Sequence, residues 1–141
     1  MALPDFRAAA DRHYKDGLLL SEQDRLPGAD HFFGIAAECA VKAALEITRV
    51  LKLDSHGKPG KPFDQHCPGI WDQYAVAHGG NTNLSRYPLP TTNPFAGTWH
   101  ISDRYAGAGA VDSNALKAHQ AGAREALKIM EALLRENFSG Q

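Results

Sequence analysis

Residues 32–53 read FFGIAAECAVKAALEITRVLKL, and this stretch decides the fold class. Phe33, Ala36, Ala37, Ala40, Ala44, Ile47 and Leu51 recur at steps of three and four, the interval that lines side chains along one face of an α-helix. Ile35, Val41 and Leu45 fall on another side. A helix apolar on more than one side has to be covered on more than one side, so this element is expected at the centre of a helical bundle. Its alanines let neighbouring helices approach closely. Phe33, Ala37, Ala40, Ala44 and Ile47 are expected to be almost fully buried.

Upstream, Pro4 and Asp5 open a helix over about 5–20, with Phe6, Ala9, Ala10, His13, Gly17 and Leu20 at helical intervals. Pro27, Gly28 and Asp30 punctuate the chain before the central helix. Downstream, SHGKPGKP between Asp54 and Pro62 has the Gly and Pro density of a loop, and its lysines read as solvated charges. A third helix is expected over roughly 64–78, with Asp64 a candidate cap and Pro68 near the first turn, turning Ile70, Trp71, Tyr74 and Ala75 inward and stopped by Gly79 and Gly80. From 81 to 111 the period is lost to Pro88, Pro90, Pro94, Gly97, Gly107 and Gly109, yet Tyr87, Phe95, Trp99, Ile101 and Tyr105 also lie here. So aromatic a connection is expected to pack rather than drift, and long ordered loops tend to carry function. A final helix over 112–137 sets Leu116, His119, Ala123, Leu127, Met130 and Leu134 on one face, with Lys117, Arg124, Lys128, Glu131 and Arg135 outside. The expected fold is therefore all-α: an antiparallel bundle of four or five helices with a long ordered aromatic loop before the last, forming one domain over residues 1–141.

Composition narrows the function. Fifteen Lys and Arg against sixteen Asp and Glu leave a formal charge of -1, which supplies no global attraction to polyanions. Any nucleic-acid contact must come from a local patch. Asp5 and Arg7 stand where a signal peptide needs an apolar core, and no apolar run reaches transmembrane length, so a cytoplasmic protein without a membrane is expected. Cys39 and Cys67 are the two cysteines and imply neither a disulfide framework nor a paired ligand motif. The seven histidines, at 13, 31, 56, 66, 78, 100 and 119, include no HxxxH or HExxH spacing, and no phosphate cradle or nucleophile elbow occurs. Neither metal nor cofactor is expected.

Three groups of residues carry chemistry. Glu38 and Lys42 stand four apart in the favourable order, and Glu46 and Arg49 extend the polar line. The line is either a narrow solvent-facing stripe or, since unpaired buried charges are costly, the wall of a cleft or subunit contact. Trp99-His100-Ile101-Ser102-Asp103-Arg104-Tyr105 gathers an indole, an imidazole, a carboxylate, a guanidinium and a phenol. Such a group can stack a base and clamp a phosphate, or simply anchor the loop. Arg7 and His13 have a spacing found in some ribonucleases, although His13 lies on the apolar stripe of its helix and reads more simply as an interfacial histidine.

Taken together, three pieces resemble the HEPN family of small helical domains. They are Tyr14-Lys15-Asp16 before Leu18-Leu19-Leu20, the run from Ala29-Asp30-His31 through Ala36-Ala37-Glu38-Cys39-Ala40-Val41-Lys42 to Leu45, and Asp103-Arg104-Tyr105 ahead of the last helix. The resemblance spans nearly the whole chain. It implies a bundle, commonly a homodimer, with polar residues gathered in a cleft and a link to nucleotides or RNA. Many members are metal-independent endoribonucleases acting as toxins or in antiviral defence, with an arginine and, a short spacer later, a histidine near the final helices. Here YAGAGAVDSN follows Arg104, and no histidine comes before His119. The resemblance therefore implies a non-catalytic or weakly active module that recognises a nucleotide or RNA through Arg104, Tyr105, Lys42, Glu38 and Trp99. Its alternatives are an endoribonuclease in which His100 or His119 serves beside Arg104, and a purely structural bundle. A homodimer joined through Phe95, Trp99, Ile101 and Tyr105 with part of the first or last helix is also expected.

Overall fold

The computed structural model describes residues 3–105 and 111–139, with the side chains of 104, 105 and 137–139 outside the description. Within these residues the chain is an all-α bundle of four helices: α1 Phe6–Glu22, α2 Leu26–Ile47, α3 Gly69–Gly80 and α4 Ser113–Ser139, with a short 3-10 turn at Ile101–Tyr105 before α4. Asp5 starts α1 by accepting the Ala8 N–H at 3.0 Å, which satisfies one of the donors a helix leaves open at its first turn. A left-handed residue, Asp24 at φ 60°, turns the chain directly into α2.

The central helix begins earlier and ends earlier than its periodicity suggests. Pro27 does not precede α2 but sits in its first turn, where the missing N–H costs nothing, so Gly28 and Asp30 are helical. At the other end Thr48 folds its hydroxyl back onto the Ala44 carbonyl at 2.9 Å, and Arg49 takes φ 63°. Arg49 thus lies beyond the helix and does not extend the Glu38–Lys42 line along it. Leu51 is buried from the loop.

All other elements pack on α2, with α1 and α4 making its broadest contacts and α3 and the 3-10 turn adding smaller ones. Phe33, Ala36, Ala37, Ala40, Val41, Ala44 and Leu45 are all buried, while Ile47 is only half-buried. Gly17 of α1 lies so close to Phe33 that a Cβ there would come within 2.7 Å of the ring, which is how the two helices reach short separation. On α4, Leu116, His119, Ala123, Leu127 and Met130 face inward and Leu134 is half-buried, whereas Lys117, Arg124, Lys128, Glu131 and Arg135 are exposed.

The third helix departs furthest from expectation. It starts at Gly69, with Pro68 at the N-cap; Asp64 stands outside it and caps nothing. Ile70, Trp71 and Tyr74 are buried as expected, but Ala75 is exposed. Gly79 and Gly80 form the last turn rather than the stop. No helix among the described residues is long and apolar enough to cross a membrane.

Candidate functional site

Residues 93–105 are fastened to the first turns of α2 and to α4 at one junction. Asp30 makes two attachments. Its backbone carbonyl accepts the Trp99 indole N–H at 3.1 Å, and its carboxylate takes the Nδ1 proton of His119 at 2.6 Å. The other ring nitrogen of His119 meets the Thr98 hydroxyl at 2.8 Å. The His119 ring is fully buried and stacks on Phe95 with centroids 5.0 Å apart. Trp99 in turn stacks on His31 at 5.6 Å and meets Phe95 edge-on.

Glycine makes this seat. A Cβ on Gly34 would come 2.0 Å from the Trp99 indole, so only a bare backbone lets the ring lie on α2. Phe95 and Trp99 are therefore packing anchors within one chain, and the loop surface that motivates a dimer is already covered there. The Asp30 carboxylate on one ring nitrogen and the Thr98 hydroxyl on the other leave neither nitrogen of His119 open to a ligand. His100, by contrast, is exposed: Asp103 accepts its backbone N–H at 3.0 Å, and its Nδ1 accepts the Ser102 N–H at 3.1 Å. Arg104 and Tyr105 close the 3-10 turn that packs on α2, and their side chains lie outside the described residues.

A second polar cluster lies further along α2. Lys42 Nζ donates to Glu38 Oε2 at 2.8 Å, with the two side chains only 7% and 10% exposed. The Phe6 ring lies 5.9 Å from the same ammonium, adding a cation–π contact. The pair is thus no solvent-facing stripe. Its outer edge is His66, whose Nδ1 stands 2.9 Å from Glu38 Oε1 while the rest of the ring reaches water. Two thiols border this cluster. Burial pushes Cys39 up to about 12, with the Glu38 charge adding to the effect, and burial likewise holds Cys67 well above the ordinary thiol range. Neither is a nucleophile at neutral pH.

Elsewhere, His13 stacks on Phe32 at 5.3 Å, and its buried Nδ1 has no hydrogen-bond partner among the described residues. Burial, then the neighbouring Arg12 charge, depresses its pKa. Arg7 is exposed. Among the described residues no group of three or more His, Cys, Asp or Glu side chains is arranged to hold a metal.

Two of these partnerships escape sequence reading. Asp30 meets His119 across 89 positions and Glu38 meets His66 across 28, so no spacing rule connects either pair. Burial of His119 on a helical stripe was the only local signal. No protein-family model matches the chain, and no curated protein or solved structure matches it either.

Proposed function

We propose that this chain is a HEPN-like cytoplasmic module that binds a nucleotide or RNA, is non-catalytic or only weakly active, and serves a toxin–antitoxin or defence system. One observation supports it above the others: of the three pieces of sequence that carry the resemblance, the first and the third both pack on the second. Tyr14 of α1 packs its ring 5.7 Å from Phe33 of α2, and the 3-10 turn that holds Asp103-Arg104-Tyr105 packs on α2 just after Trp99, which hangs from Asp30. This attachment gives Arg104 and Tyr105 a fixed backbone beside α2, from which a guanidinium and a phenol can engage phosphate and base. Trp99, Glu38 and Lys42 act behind them, since all three are buried.

Low activity is supported by His119, the one histidine of α4, which is sealed from solvent and engaged at both nitrogens. A second reading, a metal-independent endoribonuclease, is favoured by the exposure of His100 only four residues before Arg104. There the imidazole takes the 2′-hydroxyl proton as that oxygen attacks the phosphorus, Arg104 stabilises the pentacoordinate phosphate, and the P–O5′ bond breaks as the 5′-oxygen takes a proton from the imidazolium. Incubation of labelled RNA and of nucleotides with the protein separates these readings. Binding that is lost in Arg104→Ala, without cleavage, supports the first. Cleavage that survives His119→Ala but not His100→Ala replaces it with the second.

A homodimer belongs to the same proposal. With Phe95 and Trp99 buried, its interface draws on α1, where Leu19 is 53% exposed. A mass that stays near 15.3 kDa in light scattering over about a hundredfold dilution removes the dimer.

A further inference from the structure

Between the loop that follows α2 and the outer face of α3 runs a shallow groove of about 250 Å³. Val50, Pro62, Phe63 and Val76 make its surface mostly apolar, and Val76 is 73% exposed. Gln73 lies among them, and its carboxamide has no hydrogen-bond partner among the described residues. The volume falls just below the roughly 300–1,000 Å³ of sites that enclose drug-sized ligands. It suits one flat ring with the rest of its molecule outside.

The surroundings say what that molecule is. Arg49 immediately precedes Val50 and Lys61 immediately precedes Pro62, while Lys52 and Lys58 flank the Leu53–Pro59 bridge that pinches the loop. All four cations are exposed, and none makes an ion pair among the described residues. The one carboxylate between them, Asp54, accepts the backbone N–H groups of His56 at 2.8 Å and Lys58 at 3.0 Å, and these bonds depress its pKa. Glu46 and Asp64 bracket the segment from outside. Residues 49–61 thus carry four cations against one carboxylate in a chain whose overall charge is -1. Several cations spaced along one loop match successive phosphates better than a single anion, and an apolar groove with an aromatic wall takes a base face.

We infer that this groove and loop dock single-stranded nucleic acid, one base lying in the groove against Phe63 and Gln73 and the flanking phosphates meeting Arg49, Lys52, Lys58 and Lys61. The inference rests on the nucleotide- or RNA-binding reading above and gives it a second surface, on the α3 side of the bundle.

Fluorescence anisotropy of the full chain with a labelled oligoribonucleotide of about eight residues tests it. At about 0.7 per phosphate on a single strand, four contacts give a log–log salt slope near -2.8, so affinity falls about 50-fold between about 50 and 200 mM salt. Lys58→Gln with Lys61→Gln should bring the slope to about -1.4. Val76→Glu, at an exposed position that tolerates the change, should weaken binding at least about tenfold by setting a carboxylate in the groove. An unchanged slope in the double variant, or unchanged affinity in Val76→Glu, overturns the inference. So does a duplex that binds as tightly as the single strand, because a paired base cannot enter the groove. Arg104→Ala keeps the two readings apart. If it alone abolishes binding, the Trp99–Tyr105 surface stands and the groove falls; if only the groove variants do, the reverse holds.

Discussion

Replacing Lys42 by Met leaves the Glu38 carboxylate inside the protein without its nearest cation. With the two side chains 7% and 10% exposed and 2.8 Å apart, the pair falls in the buried class. Removing one partner of such a pair costs about 3–5 kcal/mol, mostly the penalty of the charge left behind. His66 stays on the other oxygen at 2.9 Å from a 55% exposed ring, which supplies partial compensation and sets the expectation at the lower end, about 3 kcal/mol. For a chain of 141 residues that corresponds to a fall of about 10 °C in Tm. Glu38→Gln combined with Lys42→Met should recover most of the loss, since no charge remains to be stranded. His66→Ala alone should cost no more than about 1 kcal/mol because its contact is open to water. Urea denaturation of the three variants measures these values. A loss below about 1 kcal/mol for Lys42→Met, the size of an exposed ion pair, would refute the argument, because it would mean that Glu38 finds water when its partner goes.

Other expectations follow from the same geometry. Gly34→Ala drives a methyl into the Trp99 indole and should destabilise by about 1–3 kcal/mol, with a red-shifted tryptophan emission as the ring leaves its seat; unchanged emission would show that Trp99 is not held there. Neither cysteine should react with an aromatic disulfide reagent at neutral pH until the chain unfolds, since burial keeps both as thiols; fast native labelling would contradict it. Because the folded state depresses the His13 pKa below its ordinary 6.5, the unfolded chain takes up the proton first as pH falls. Stability from this group is therefore present above about pH 6.5 and drains away below it, and His13→Phe should flatten that part of a urea midpoint series.

Much of the bundle could be read from apolar period alone, and the reasons are specific. The α2 stripe and the inward face of α4 depend only on local spacing, so Ala40, His119 and Met130 sit as expected. Boundaries depended on turn chemistry that has two readings. Pro27 can precede a helix or occupy its first turn, and in α3 a proline took the N-cap position expected of Asp64. The polar residues were visible as candidates, whereas their partners were not. Glu38 and Lys42 announced a pair through their four-residue step, but nothing in that spacing told whether water or protein would cover it. What covers it is supplied by Phe6 and His66, from other parts of the chain.

The double attachment at Asp30 also gives different parts of the molecule unequal closure costs. α1 and α2 are joined by a turn of three residues, so their packing demands almost no loop closure. Bringing His119 to Asp30 closes a loop of 89 residues, at an entropic cost of about 4 kcal/mol before any contact repays it. The α1–α2 hairpin can therefore form early, while the Trp99 seat and the docking of α4 wait for each other. Once formed they share a fate: the bond that holds the α4 histidine and the bond that holds the loop indole leave from one residue. Amide exchange in the loop around Trp99 and in the first half of α4 should then report a single opening free energy, not two.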